Sequence, residues 1–191
     1  MLYSFVKLVL KLVLLILFGV KTVGKDKVID GGTILAVNHR SNWDPLAIWA
    51  TCPRKLSYMA KSELFKFKPF GAILKILGVF PVHRGKGDIG AVKTALTILK
   101  QEKPMVIFPE GKRVKEGEKC EIKPGVTMLA THAKVPVIPV KISGKYRLFS
   151  RITVIYGDPI YLDEYYNEKL TVEKMQELST SIMEKVYSMQ A

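Results

Sequence analysis

Acidic residues, histidines and cysteines are all scarce in this chain, and each shortage narrows the chemistry open to it. Its 191 residues hold 17 Asp and Glu against 30 Lys and Arg, a formal charge of +13. That excess favours anionic partners, and composition alone leaves a membrane surface, a phosphorylated substrate, an acidic carrier protein and nucleic acid all open. Cys52 and Cys120 are the two thiols. They form neither a disulfide framework nor a zinc-ligand spacing, which makes a reducing, cytosolic setting the default. Neither has a base beside it in sequence, so thiol catalysis has no support. No His or Cys spacing suggests a metal, and no cofactor is expected. Gly85-Lys86-Gly87-Asp88-Ile89-Gly90 loosely matches a dinucleotide loop but has no acidic residue at the required distance onward. Repeats, long linkers and low-complexity tracts are missing too, and the length suits one domain able to bury a substantial core.

What the chain does have begins at its N-terminus. Leu2 to Val20 is almost wholly apolar, interrupted by Ser4, Lys7, Lys11 and Gly19. Lysines inside the stretch and the lack of a small-x-small cleavage site argue against a secretory signal. Lys7 and Lys11 share one helical face, where they can snorkel towards headgroups. The expectation is a helix lying in or dipping into one leaflet, with a full span as the alternative and a buried core helix as the bland one. Residues 1–23 thus read as a membrane-anchoring helix and 24–191 as the domain that would carry any chemistry. Lys21 to Lys27 would form a basic link at a negatively charged, cytoplasmic leaflet. Nucleic-acid binding would explain the charge but not this apolar start.

Downstream, apolar runs alternate with helical periodicity. Thr33–Val37, Leu56–Ala60, Val79–Val82, Met105–Phe108, Val137–Ile142 and Ile152–Ile155 read as strands. Ile89, Val92, Leu96 and Leu99 recur at helical spacing behind Asp88, a candidate N-cap. Pro124 suits the first turn of a helix reaching about Lys134. From Thr171, a stripe of Val172, Met175, Leu178, Ile182, Val186 and Met189 predicts a last helix packed on a sheet. The fold class is therefore α/β: one domain, a largely parallel or mixed sheet flanked by helices, preceded by the N-terminal membrane-associated helix. Chemistry in such folds gathers at loops beyond strand ends.

Three strand ends carry polar clusters with no packing purpose. The first is Asn38-His39-Arg40-Ser41-Asn42-Trp43-Asp44-Pro45. His39 and Asp44 are five apart, and on a continuous helix they would be rotated by about 140°. With Pro45 at the first helical position, Asp44 becomes the N-cap and His39 sits on the preceding turn, so the carboxylate can fold back to the imidazole. A histidine held at one nitrogen by a carboxylate presents the other as a base. The second cluster is Lys61-Ser62-Glu63-Leu64, Pro69-Phe70-Gly71 and Gly78-Val79-Phe80-Pro81-Val82-His83-Arg84. A guanidinium such as Arg84 at a strand end can grip a phosphate through two parallel bonds. His83 reads as a surface or packing residue. The third is Phe108-Pro109-Glu110-Gly111-Lys112-Arg113, and Val135-Pro136-Val137-Ile138-Pro139-Val140 follows it. Gly111 suits a tight turn with close backbone approach to an anion; Glu110 would hold Arg113 or a ligand hydroxyl.

Together these segments resemble the motifs of the 1-acylglycerol-3-phosphate acyltransferase family, the HxxxxD glycerolipid acyltransferases. The octet resembles NHxxxxD, and the third cluster resembles FPEGTR with Lys112 in place of Thr. The segments keep the family's order over about half the chain. The resemblance implies that His39, oriented by Asp44, is the catalytic base, and that Lys61, Arg84 and Arg113 hold an acceptor phosphate. It also implies an acyl-CoA or acyl-carrier-protein donor and lysophosphatidic acid as acceptor, with phosphatidic acid as product and no metal. The competing expectations are another acceptor, such as glycerol-3-phosphate or a different lysolipid, and a non-enzymatic basic membrane module.

Overall fold

The computed structural model describes residues 2–83, 88–115, 117–118 and 120–190. In chain order the elements are α1 (Leu2–Phe18), β1 (Lys21–Val23), β2 (Ile34–Val37), α2 (Asp44–Thr51), β3 (Ser57–Lys61) and α3 (Lys68–Ile76). Then come β4 (Val79–Val82), α4 (Ile89–Lys100), β5 (Met105–Ile107), α5 (Gly125–Ala133), β6 (Val137–Gly144), β7 (Ile152–Tyr156) and α6 (Val172–Ser188). Every residue of β2 is buried, as an apolar run with helices on both faces requires. Helix starts follow side-chain chemistry at two places. Asp88 Oδ1 accepts from Ala91 N–H at 2.9 Å to cap α4, and Thr171 Oγ1 accepts from Lys174 N–H at 3.2 Å to cap α6.

All seven strands join one mixed sheet in the order β1-β7-β6-β2-β5-β3-β4. Strands β6, β2, β5, β3 and β4 run parallel, β7 is antiparallel to β6, and β1 is parallel to β7. Right-handed crossovers then sort the helices. The chain moves one way along the sheet through α2 and α3 and the opposite way through α4 and α5, so the two pairs cover opposite faces. Leu35 and Val37 join Ile48, Trp49, Leu14 and Phe18 in one core, while Ile34 and Ala36 join Ala95, Leu99, Leu129 and Ile182 in the other. One helical layer is thus α1, α2 and α3; the other is α4, α5 and α6. The carboxyl ends of the parallel strands bring Asn38, Lys61, His83 and Phe108 to one edge.

Several expectations change. The basic link contains β1, whose backbone extends the sheet through β7, so part of the segment 1–23 belongs to the sheet. Among the described residues no helix is long and apolar enough to cross a membrane. Helix α1 is also no appendage, since Leu14 is fully buried and Phe18 nearly so. Lys7 and Lys11 do not both reach outward. Lys7 Nζ donates to the Cys52 carbonyl at 2.6 Å, closing the end of α2, and burial lowers its pKa. Helix α3 was not anticipated, and Val172 of the α6 stripe is 58% exposed because the helix meets the core only from Ser179 onward.

Candidate active site

The site forms where β2 ends. Asn38 extends the ladder by its side chain: its Nδ2 donates to the Ile142 carbonyl at 3.0 Å, and Ile142 N–H donates to its Oδ1 at 2.7 Å. This buried amide continues the β2–β6 pairing one residue beyond Val37 and fixes where the next residue, His39, leaves the sheet. Both backbone polar groups of His39 are then tied to the loop of the third motif. Its N–H donates to Glu110 Oε2 at 2.5 Å, and its carbonyl accepts from Val114 N–H at 2.8 Å. The imidazole lies against Phe108, ring centroids 4.3 Å apart and tilted by 30°.

His39 Nδ1 is 3.0 Å from Asp44 Oδ2. Asp44 is fully buried, and the same oxygen accepts from Arg40 N–H at 2.5 Å and Ser41 N–H at 2.6 Å. Asp44 is therefore not the helix cap expected of it. It is the first residue of α2, after Trp43 in helical backbone, and its carboxylate turns back into the 39–41 turn. An ionised carboxylate only accepts, so Nδ1 is the donor of this contact, and in the neutral ring that tautomer leaves the lone pair on Nε2; the side chain is 17% exposed. Among the described residues no hydroxyl or thiol is hydrogen-bonded to His39. Cys52 is buried in the core, and burial pushes its thiol pKa up.

The other oxygen of Asp44 has no hydrogen bond, and neither has the buried hydroxyl of Tyr146. The two groups stand against each other: burial first, then the Asp44 carboxylate, raises the Tyr146 pKa. Phe18 packs edge-on against both Trp43 (5.3 Å) and Tyr146 (5.2 Å), so the end of α1 is wedged beside the dyad.

Glu110 was expected to meet Arg113 or substrate, but it lies 3% exposed beneath the His39 backbone. Its Oε1 accepts from the Tyr187 hydroxyl at 2.7 Å and its Oε2 from His39, so α6 and β2 share one carboxylate. Burial raises its pKa, against the lowering effect of those two bonds. Gly111 has φ 65°, the left-handed turn conformation that suits glycine, and its N–H donates to the Phe108 carbonyl at 3.0 Å. Lys112 is exposed and pairs with Glu118 at 2.8 Å. Arg113 is exposed next to Val114, the residue bonded to His39, and Lys61 is exposed where β3 ends at the same edge. Arg84 lies outside the described residues. A cavity of about 610 Å³ lies behind the His39 backbone, with Asn38, Arg40, Glu110, Lys141 and Tyr187 among its walls and neither member of the dyad. Sequence reasoning assigned no role to Asn38, Tyr146 or Tyr187. Asn38 adjoins the histidine, but nothing in sequence ties Tyr146 or Tyr187, a hundred or more positions away, to the dyad.

The acyltransferase family model matches residues 19–143. A 1-acyl-sn-glycerol-3-phosphate acyltransferase of Bacillus subtilis (strain 168) is 31% identical over 170 residues, covering 85% of this chain and 84% of that protein. The enzyme of the same description from Streptococcus pneumoniae is 32% identical over 142 residues, 71% of this chain, which spans only about half (52%) of that relative. The crystal structure of the 1-acyl-sn-glycerophosphate acyltransferase PlsC from Thermotoga maritima shares the fold, with a TM-score of 0.70 at 20% identity over 99% of this chain and 83% of the other. A family model that reaches from β1 into β6, and a relative 31% identical over 85% of this chain, make this chain a member of the acyltransferase family of the 1-acyl-sn-glycerol-3-phosphate acyltransferases.

Proposed function

We propose that the chain moves a fatty-acyl group from a thioester donor, acyl-CoA or acyl-carrier protein, to the sn-2 hydroxyl of 1-acylglycerol-3-phosphate, giving phosphatidic acid. The observation that carries this reading is the His39–Asp44 contact of 3.0 Å with Asp44 shut away from water. His39 Nε2 takes the proton of the acceptor hydroxyl as its oxygen attacks the thioester carbonyl. The C–S bond then breaks, the thiolate leaves and collects that proton, and an ester remains. Asp44 holds the ring in the required tautomer and balances the imidazolium formed in passing. With no hydroxyl or thiol bonded to His39 among the described residues, direct transfer is the simplest course.

Lys61, Arg113 and Arg84 would hold the acceptor phosphate and so place the hydroxyl beside Nε2, where orientation supplies much of the rate. Glu110, assigned to substrate from sequence, instead acts by holding the His39 backbone, while exposed Gly111 would let the turn backbone approach the acceptor phosphate. Helix α1 would rest in the cytoplasmic leaflet of an anionic membrane, where a two-chain product belongs. The test is an assay panel of the purified protein with acyl-CoA and acyl-carrier protein against 1-acylglycerol-3-phosphate, glycerol-3-phosphate and a lysolipid lacking the free phosphate. Transfer to 1-acylglycerol-3-phosphate that disappears in His39→Ala is the expected result. Transfer that survives in His39→Ala overturns the mechanism, and preference for the phosphate-free lysolipid overturns the acceptor.

A further inference from the structure

The two helical layers differ sharply in what they show to their surroundings. On α4 and α6 the exposed large apolar side chains are Ile89, Val172 and Tyr187. On the other layer, α1 alone exposes Phe5, Leu8, Val9, Leu12, Val13, Leu15 and Ile16. The 3-10 turn Ser62–Phe65 and α3 add a second set: Leu64 (46%), Phe67 (69%), Phe70 (43%), Ile73 (50%) and Ile76 (42%). From Leu64 to Ile76 these recur every three residues, so each adjoins the next and together they form a slanting apolar stripe that winds about half-way round the helix. Of α3 itself only Gly71 is buried. The stripe is therefore not the inward face of a packed helix.

Its surroundings say what covers it. Lys61, Lys66, Lys68 and Lys75 are all exposed around the stripe, with Glu63 as the sole acidic residue of 61–76. An apolar strip bordered by cations matches a bilayer with anionic headgroups, since the lysine stems can lie along the apolar boundary while their charges meet phosphate. Position agrees with charge. The 3-10 turn follows the carboxyl end of β3, so α3 begins at the edge that carries His39. Helix α1 ends at that same edge, with Phe18 against Trp43. Phe149, 83% exposed, adjoins it through its N–H bond of 2.9 Å to the Leu17 carbonyl. Apolar groups on α1, on α3 and at Phe149 thus border the mouth through which a lipid acceptor must enter.

The geometry points to α3 as a second bilayer-insertion element, docking the stripe Leu64–Phe67–Phe70–Ile73–Ile76 into an anionic leaflet beside the active site. This rests on the membrane reading given above for α1. Helix α1 contributes Leu14 and Phe18 to the core, so truncation would confuse unfolding with release, and point changes on the full chain are the cleaner probe. In flotation with vesicles of phosphatidylcholine and phosphatidylglycerol, the double change Phe67→Ser/Phe70→Ser should lower partitioning by about tenfold or more. Ile89→Ser, an equally exposed apolar residue of the other layer, should stay within about twofold. Both variants should unfold at the wild-type temperature. Separately, F70W should add emission that vesicles with brominated acyl chains quench beyond the signal of Trp43 and Trp49. Unchanged partitioning of F67S/F70S, or F70W emission that the brominated chains leave untouched, overturns the inference. So does unchanged partitioning with loss of self-association in sedimentation, which would assign the stripe to a second copy of the chain. The enzymatic reading is scored apart, on detergent-dispersed acceptor. F67S/F70S should retain that activity, and a protein that binds vesicles as expected but acylates nothing would lose the enzymatic reading alone.

Discussion

The chain contains two histidines followed five positions later by an aspartate, each at the end of a parallel strand, and they are put to different uses. His39 follows β2 and lies 3.0 Å from an Asp44 that is wholly buried. His83 follows β4 and lies 3.3 Å from Asp88, but its side chain is 76% exposed. Asp88 spends one oxygen capping α4 and the other on the His83 N–H at 2.8 Å, and those two backbone bonds hold its carboxyl below the usual range. Asp44 caps nothing and directs one oxygen at its histidine and the turn beside it. Equal spacing therefore yields a buried, oriented imidazole only where the surroundings fix both partners. At His39 the fixing comes from Glu110, Val114 and Phe108. At His83 the pair faces water, and an exposed pair of this kind contributes little.

The largest expected effect follows from that contrast. His39→Ala should cost about 10²–10⁴-fold in turnover while the melting temperature stays close to wild type, whereas His83→Ala should leave turnover within about twofold. Comparable losses in the two variants would erase the distinction. Asp44→Asn comes next. The amide oxygen can still accept from Arg40 and Ser41, so the fold survives, but a neutral partner no longer balances an imidazolium, and turnover should drop by about a hundredfold or more. Should Asp44→Asn lose stability in step with activity, the carboxylate would be structural. Tyr146→Phe keeps the ring against Phe18 and removes the hydroxyl facing Asp44. A fall in kcat of at most about fivefold at unchanged stability is expected, because the hydroxyl stands against the buried carboxylate oxygen without a hydrogen bond to it; an unaltered kcat would show that the hydroxyl leaves the dyad alone.

Glu110→Gln sharpens the comparison at its smallest scale. The Gln oxygen can accept from His39 N–H and its amide can donate to the Tyr187 oxygen, so activity should fall by at most about fivefold. The sign of the pH effect is set by burial, which raises the folded pKa of Glu110 above the unfolded value of about 4.3. The folded state then holds the proton more tightly, so this group's contribution to stability is present below the unfolded pKa and is lost as pH rises through the folded one. Glu110→Gln, which does not titrate, should gain stability relative to wild type across that window in paired thermal melts. A constant difference across the window would show that burial is not what governs Glu110.

Much of this was legible in one dimension. Apolar runs of four to six residues gave six of the seven strands nearly to their ends, because a strand covered on both faces must be apolar throughout. Asp88 and Thr171 announced the helices they cap. The strand ends announced the candidate site, since residue types with no packing value stood where packing stopped. The β1 strand was hidden because three residues of an edge strand carry too little pattern, and α3 because its apolar stripe faces away from the core and Pro69 and Gly71 break up its sequence.

What the sequence determined by itself is therefore six of the seven strands, most of the helices and the pairing of His39 with Asp44, all of which rest on local periodicity or on residue types at fixed short spacing. Only the tertiary structure decided that Asp44 turns back instead of capping, that Glu110 locks the His39 backbone through a bond 71 positions away in sequence, and that Tyr146 and Phe18 close around the dyad. The reason is physical: a carboxylate takes its role from the donors and the water around it, and those donors come from segments that meet only when the sheet is assembled. The same assembly set the exposed stripe of α3 on the face of α1, a placement that follows from the order of the strands and leaves no mark in the local sequence.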